Sequence, residues 1–205
     1  NGFRRFRQRY FVEQPEVYEK FVKHGQSPQA LVIACSDSRV DPAMITDANP
    51  GDMFVVRNVA NVVPPCVDDG KTHGTSAAIE FSVKHLQVPH IIVMGHSKCG
   101  GIRALMEGEH SSETHGFIDP WMGVMQRARK KLANISNDHD LEQQCRQCER
   151  EAVGISLENL VTFPFVQERV AAGKLQLHGW YFDFEAGELY ARQQDGAFEP
   201  LSQQC

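Results

Sequence analysis

Two stretches of sequence decide the fold: residues 30–39 read ALVIACSDSR, and residues 90–101 read HIIVMGHSKCGG. Each begins with a short run of apolar residues and then becomes polar. Residues 53–56, MFVV, form a third apolar run. The three runs are apolar at nearly every position instead of alternating, which is typical of strands in a parallel sheet covered on both faces.

The segments between and after these runs predict helices and two further strands. Residues 75–86 have a helical pattern, so the second and third runs are joined as in a βαβ unit. Residues 117–133 and 140–172 are also helical in pattern, whereas residues 174–184 and 187–190 predict a strand and its hairpin return. We therefore expect an α/β fold with a mostly parallel sheet and flanking helices.

Composition and charge limit the class of protein. The chain has 205 residues, of which 41% are hydrophobic and 23% are charged, an ordinary composition for one globular domain. Its net charge of −5 argues against an extended nucleic-acid-binding surface. No apolar run approaches the roughly 20 residues that span a bilayer, so we expect no membrane partner. Six scattered cysteines favour a reducing compartment, either the cytoplasm or, if a presequence has been removed, an organellar matrix.

The first 25 residues predict a helical arm. Aromatic residues and arginines are interspersed between Phe3 and Phe11, and further apolar residues continue to Val22, before Gly25 ends the pattern. A basic patch for nucleic acid is the alternative interpretation of the arginines. We expect a single domain over residues 1–205, with residues 1–25 as an arm and residues 26–205 as the core.

Three side chains suited to metal binding lie at the ends of two predicted strands. Cys35 ends the first apolar run, and His96 and Cys99 follow the third. Ligands of open parallel sheets bind beyond the carboxyl ends of the strands, so these side chains converge if the two strands are neighbours. Two thiolates and one imidazole form a tetrahedral zinc set with one open position, the mark of a catalytic site. Cysteines that only fill the core are the alternative.

An acidic and a basic residue stand beside this set. Asp37 and Arg39 are spaced so that they can form a bidentate ion pair. The guanidinium group would keep Asp37 ionised and hold it away from the metal. An ordinary ion pair in a surface turn, contributing less than about 1 kcal/mol, is the alternative.

This combination resembles the β-class carbonic anhydrases. Residues 35–39 match the Cys-x-Asp-Ser-Arg motif and residues 96–101 match His-x-x-Cys-Gly-Gly, while residues 52–61, 75–81 and 178–180 are similar to further family segments. The resemblance covers roughly residues 26–183. It implies an antiparallel edge strand and an intimate dimer in which the N-terminal helical arm wraps the partner, as a homodimer or a dimer of dimers.

The resemblance also implies the chemistry. The implied reaction is reversible hydration of carbon dioxide to bicarbonate and a proton by zinc-bound hydroxide, with one Zn²⁺ per chain bound by Cys35, His96 and Cys99. Asp37 and Arg39 are the implied catalytic pair, and Asp37 takes the fourth zinc position in a closed form of the family. The implied substrate pocket, part of which comes from the partner chain, is lined by Gln26, Phe54, Val59, Phe81 and Gly100. Plain core packing is the alternative for Phe54, Val59 and Phe81.

One subgroup of the family is switched off by bicarbonate in a separate pocket. That subgroup has Trp, Arg and Tyr where this chain has Val32, Arg57 and Phe182. Only Arg57 fits the subgroup, so we expect a permanently open site in which Asp37 is paired with Arg39.

Two other functions stay open at this level. One is hydrolysis of carbon disulfide or carbonyl sulfide on the same fold, and the other is a non-catalytic, zinc-stabilised dimeric binding module. Asp37 and Arg39 argue against the binding module, because a purely structural metal site has no use for them. Cys145 and Cys148 form a Cys-x-x-Cys unit within a helical pattern, and we expect them to be exposed or half-buried thiols without a metal.

Overall fold

A six-stranded sheet forms the centre of the computed structural model, which describes residues 1–108, 116–133 and 140–203. The strands are β1 (Ala30–Cys35), β2 (Met53–Asn58), β3 (His90–His96), β4 (Gln176–Asp183), β5 (Glu188–Arg192) and β6 (Phe198–Pro200). Their spatial order is β2-β1-β3-β4-β5-β6. The first four in this order are parallel, and β5 and β6 are antiparallel. This confirms the predicted α/β fold with its antiparallel edge.

Helices flank the sheet and precede it. They are α1 (Gly2–Gln8), α2 (Glu16–His24), α3 (Pro42–Thr46), α4 (Gly74–Glu80), α5 (Gly100–Glu107), α6 (Ile118–Gly123), α7 (Gln126–Ala133), α8 (Leu141–Leu160) and α9 (Pro164–Ala171). Helix α4 continues through a π-helical turn at Phe81–His85, and together they form the predicted crossover helix. Within the described ranges, no helix is long and apolar enough to cross a membrane.

The strands differ in burial in a way that their sequences do not reveal. Every residue of β1 is buried, as are six of the seven residues of β3. The prediction that Met53–Val56 is covered on both faces is wrong, because β2 lies at the edge of the sheet and none of its residues is buried. An apolar edge strand and an apolar interior strand have the same sequence pattern, and only the order of the strands in the sheet distinguishes them.

Helix α8 lies very close to β3 and β4, at two glycines. A Cβ atom added to Gly95 would lie 2.7 Å from Cγ2 of Val153, and one added to Gly179 would lie 2.9 Å from Cγ1 of the same residue. Contacts this short do not occur between real side chains, so the helix reaches this position only because both strand residues lack a side chain. The close approach brings the buried face of α8 beneath the carboxyl end of β3.

The variant Gly179→Ala should therefore be destabilised by about 1–3 kcal/mol, because the added methyl group overpacks against the stiff Val153 side chain. Urea unfolding of the variant measures this change. The double variant G179A/V153A should recover part of the loss, since it restores space at the contact. An unchanged unfolding midpoint in G179A would contradict the close packing.

Candidate metal centre

The sheet brings three potential ligands together at one edge. Strands β1 and β3 are adjacent and parallel, with Ala34 opposite Met94, so both strands end at the same place. Cys35 is the last residue of β1, His96 is the last residue of β3, and Cys99 precedes α5 as its N-cap residue. All three are buried, and one ligand atom from each lies within 4.8 Å of the other two. The convergence expected from the strand ends is therefore present.

The His96 ring is oriented as a metal ligand requires. Its Nδ1 lies 2.8 Å from the carbonyl oxygen of Ser97, and because that oxygen can only accept, Nδ1 carries the proton. The other ring nitrogen, Nε2, is buried and has no hydrogen-bond partner among the described residues. Buried polar atoms are normally satisfied, so an orphaned nitrogen beside two sulfur atoms fits a bound cation. The donor set of two sulfurs and one nitrogen is suited to zinc.

The two thiols are strongly coupled. The pKa of Cys35 is lowered to about 4, chiefly because the Cys99 thiol donates a hydrogen bond to it, and the same contact raises the pKa of Cys99. The sulfur of Cys35 also accepts backbone N–H groups from Ala60 at 3.3 Å and Asp37 at 3.5 Å. A cation that replaced the shared proton would let both sulfurs bind as thiolates.

A strained loop after β2 supplies one of these donors. Ala60 and Asn61 have positive φ angles of 61° and 48°, which residues with a side chain rarely adopt. The Asn58 side chain holds the loop, since its amide group bonds to both the N–H (2.8 Å) and the carbonyl (2.9 Å) of Val62. Such strain persists where the surroundings fix it, and here it directs the Ala60 N–H at the Cys35 sulfur.

Asp37 and Arg39 form the predicted pair at the edge of the cluster. Nε and Nη2 of Arg39 donate to the two carboxylate oxygens of Asp37 at 2.9 and 2.6 Å, and Nη2 also donates to the carbonyl of Lys98 at 3.1 Å. The Arg39 hydrogen bonds hold the pKa of Asp37 well below its usual range. The carboxylate is therefore ionised and turned toward the guanidinium group.

Arg57 braces the backbone between Cys35 and Asp37. Its Nε donates to the carbonyl of Cys35 at 2.9 Å and its Nη2 to the carbonyl of Asp37 at 2.6 Å, while Nη1 lies 3.3 Å from the carboxylate of Asp41. The sequence pointed to Arg57 only as the residue shared with the bicarbonate-switched subgroup. Its contacts in the structure are to this loop.

One aromatic and one acidic residue contact the cluster, and the sequence gives no sign that either lies there. The Phe184 ring lies 4.7 Å from the Arg39 guanidinium carbon and 5.4 Å from the His96 ring. Glu149 in α8 is 3% exposed and accepts a hydrogen bond from the N–H of Cys99 at 2.9 Å. Burial raises the pKa of Glu149. A glutamate at this position of a helix looks like any solvent-facing residue until the helix is placed against the sheet.

The residues expected to line the substrate pocket fall into two groups. Gly100 directly follows Cys99, and Val59 directly precedes Ala60, so both adjoin the cluster. Phe54 in β2 is opposite Leu31 in β1, and Leu31 lies four residues before Cys35. Phe54 is therefore roughly 13 Å from the level of Cys35, measured along the strand.

Phe81 and Gln26 accompany Phe54 in the second group. The Phe81 ring lies 5.8 Å from the Phe54 ring, and Gln26 is an exposed residue before β1. Core packing is the wrong interpretation for Val59 and Phe81, which are 36% and 43% exposed, whereas Phe54 is partly buried against the core. One chain alone therefore does not bring all five pocket residues to the metal cluster.

The Cys-x-x-Cys unit is more buried than expected. Cys145 is 8% exposed and Cys148 is fully buried, so the prediction of exposed or half-buried thiols is wrong. The reason is that α8 is covered by β3 and β4 on one side and by α5 and α7 on the other. Both thiols are unpaired.

Known proteins share this sequence pattern. The family model described as carbonic anhydrase matches residues 30–189. "Beta carbonic anhydrase 5, chloroplastic" of Arabidopsis thaliana is 42% identical over 182 residues, which cover 89% of this chain and 60% of that protein. The chain thus spans about three-fifths of the length of this curated relative.

Solved structures share the fold. The β-carbonic anhydrase CcaA superimposes with a TM-score of 0.88 and 34% identity, covering 97% of this chain and 88% of that one. One of the tetrameric β-carbonic anhydrases from Sordaria macrospora gives a TM-score of 0.75 and 30% identity, with coverages of 93% and 91%. With the family match over residues 30–189, these likenesses show that the chain belongs to the β-carbonic anhydrase family.

Proposed function

We propose that this protein catalyses the zinc-dependent reversible hydration of carbon dioxide to bicarbonate and a proton. The observation that carries the proposal is the buried cluster of Cys35, His96 and Cys99 with the Asp37–Arg39 pair at its edge. Structural zinc sites use four protein ligands, whereas the cluster found among the described residues offers three. That count leaves a coordination position for a reacting molecule, at one Zn²⁺ per chain.

Each residue of the site has a distinct task. Zinc held in such a site supplies hydroxide near neutral pH, because it lowers the pKa of a coordinated water. Asp37 would accept a hydrogen bond from the attacking hydroxyl group and so direct the lone pair of that group toward carbon dioxide. Arg39 keeps Asp37 ionised and, through its two hydrogen bonds, prevents the carboxylate from taking the open position itself.

The substrate pocket is completed by a partner chain in this proposal. Gln26, Phe54 and Phe81 lie away from the cluster of their own chain, and the Phe81 ring keeps an exposed surface that a partner chain could cover. A narrow apolar pocket suits carbon dioxide, which is small and has no charge. The protein would act as a homodimer or a dimer of dimers, and the likeness to tetrameric enzymes supports this assembly.

The N-terminal arm is the proposed dimerisation element. Helices α1 and α2 and the π-helical turn between them (Arg9–Glu13) carry a cluster of aromatic rings, of which Phe3 is 69% and Phe11 is 49% exposed. Apolar side chains this exposed favour a protein contact. Residues 1–25 would thus wrap the partner, and residues 26–205 would form the catalytic core.

We expect activity to rise with pH between 6 and 9. The two thiolates of Cys35 and Cys99 cancel the +2 charge of zinc, so the proton of a bound water is withdrawn less strongly than in a three-histidine site. Asp37 contributes no inflection in this range, because a carboxyl group whose pKa is lowered is ionised throughout it. Stopped-flow measurement of kcat/KM against pH checks this, and a flat profile would contradict it.

Two alternatives are separated by direct assay. A hydrolase for carbonyl sulfide or carbon disulfide would use the same fold and metal with another substrate, and a non-catalytic zinc-stabilised dimeric binding module would hold the metal without turnover. Stopped-flow assays with each gas should be run on a sample whose zinc content has been measured. Carbon dioxide hydration at one zinc per chain supports the proposal, whereas zinc without carbon dioxide turnover contradicts it.

We propose a cytoplasmic or organellar-matrix location, with no membrane or nucleic-acid partner. The five cysteines in the described part of the chain are unpaired, as in a reducing compartment. The Arabidopsis relative named as chloroplastic supports the organellar choice.

A further inference from the structure

We propose that Glu149 and Tyr181 form a buried clamp that positions Cys99 for metal binding. Glu149 acts here as a positioning residue, because it contacts the backbone of a ligand and not the metal or the substrate. The inference rests on the proposed zinc site and extends it to two residues in α8 and β4.

The clamp consists of two hydrogen bonds, one to each carboxylate oxygen of Glu149. Oε1 of Glu149 accepts the backbone N–H of Cys99 at 2.9 Å, and Oε2 accepts the hydroxyl of Tyr181 at 2.8 Å. Glu149 is 3% exposed and Tyr181 is fully buried. Both carboxylate oxygens are therefore used, and the Tyr181 bond fixes the rotation of the carboxylate that faces Cys99.

The backbone that carries Cys99 needs such support. Lys98 has a positive φ of 54°, so the chain turns sharply just before the ligand. On the strand side the segment is fixed by Ser97, whose N–H donates to the carbonyl of Phe182 at 2.9 Å. On the helix side Glu149 accepts the N–H of Cys99. Cys99 thus lies between a contact to β4 and a contact to α8.

The packing of α8 makes this reach possible. Gly95 precedes His96 in β3 and leaves room for Val153, one turn along α8 from Glu149. The helix therefore lies close enough to β3 for a glutamate side chain to extend under the loop after it. This contact couples the position of α8 to the positions of His96 at the end of β3 and Cys99 in the loop that follows.

The expected effect is on metal retention. Groups that orient metal ligands typically change metal affinity by about 10–100-fold when they are replaced. The variant Glu149→Leu fills the space but has no acceptor, so zinc should leave it about 10–100 times faster. The amide oxygen of Glu149→Gln still accepts the Cys99 N–H, so this variant should stay within about threefold of wild type. Tyr181→Phe should give an intermediate increase of about fivefold.

Zinc release to an excess of chelator measures these rates on the zinc-loaded full chain. Glu151→Gln is the matched control, since Glu151 lies on the same helix but pairs with Lys131 near the surface. It should release zinc at the wild-type rate. If E149L releases zinc at the wild-type rate, the clamp is wrong. If E149L does not fold, Y181F takes its place, and zinc release from Y181F at the wild-type rate would show the same.

A second readout separates positioning from simple stabilisation. Zinc raises the Tm of the protein by an amount that grows with the logarithm of its affinity for the folded state. Loss of a merely structural contact would lower the Tm of the zinc-loaded and zinc-free forms equally. Loss of the clamp should instead reduce the difference in Tm between the zinc-loaded and zinc-free forms. An unchanged difference in E149L overturns the clamp while leaving the proposed function intact. Absence of zinc from the wild type would instead defeat the proposed function.

Discussion

Replacing Cys99 by serine should give a folded protein without stoichiometric zinc and without measurable carbon dioxide hydration. A serine hydroxyl stays protonated at neutral pH, so the cluster would lose one of its two anionic ligands and keep only Cys35 and His96. Enzymes accelerate their reactions by at least about 10⁶-fold, so losing the metal should cost on the order of 10⁴-fold or more in kcat/KM. The fold should persist, because Cys99 is a small side chain and serine is smaller still.

Metal analysis and stopped-flow hydration on the same C99S sample measure both effects. Cys145→Ser is the control, since Cys145 is also buried but lies outside the ligand cluster. It should retain one zinc per chain and near-wild-type turnover. A C99S protein with full zinc and full activity would show that Cys99 is not a ligand.

Replacing Asp37 by alanine should separate metal binding from catalysis. Asp37 is paired with Arg39 and not with the cluster, so the variant should keep its zinc. In the proposed mechanism the carboxylate orients the attacking hydroxyl group, and lost positioning of a reacting group costs on the order of 10²-fold. We therefore expect kcat/KM to fall by about that factor. The fold should be little affected, because an exposed ion pair contributes about 0–1 kcal/mol.

Zinc content and stopped-flow kinetics of D37A test this separation. Asp68→Ala serves as a control, since Asp68 is exposed in the segment between β2 and α4 and lies outside the ligand cluster, and it should behave as wild type. The outcome against the mechanism is a D37A enzyme that hydrates carbon dioxide at the wild-type rate. A D37A protein that lost its zinc would place Asp37 among the ligands and not beside them.

The parts of the fold that were predictable are those encoded by local pattern. The apolar runs at Ala30–Cys35 and His90–Met94 mark two neighbouring interior strands, and the abrupt change to polar residues marks where they end. Because the carboxyl ends of neighbouring parallel strands meet, Cys35 and His96 could be placed together on the condition that their strands are adjacent, which the structure confirms. The ion pair between Asp37 and Arg39 was likewise predictable, because two residues this close in sequence can meet without any distant contact.

The parts that were not predictable depend on contacts distant in sequence. The edge position of β2 follows from strand order, which its apolar residues do not encode. Helix α3 is a single turn that depends on the Asp41 carboxylate accepting the N–H groups of Ala43 and Met44, and such a short element has no periodicity. Glu149 meets Cys99 only because two glycines let α8 approach the sheet.

X-ray absorption at the zinc edge of the wild-type protein tests the central claim most directly. Three protein ligands and one open position predict two sulfur atoms at about 2.3 Å and two lighter atoms at about 2.0–2.2 Å around each zinc. One of the lighter atoms is His96 nitrogen and the other is an oxygen. A shell of four sulfurs, a shell with fewer than two, or a protein that holds no stoichiometric zinc would contradict the account.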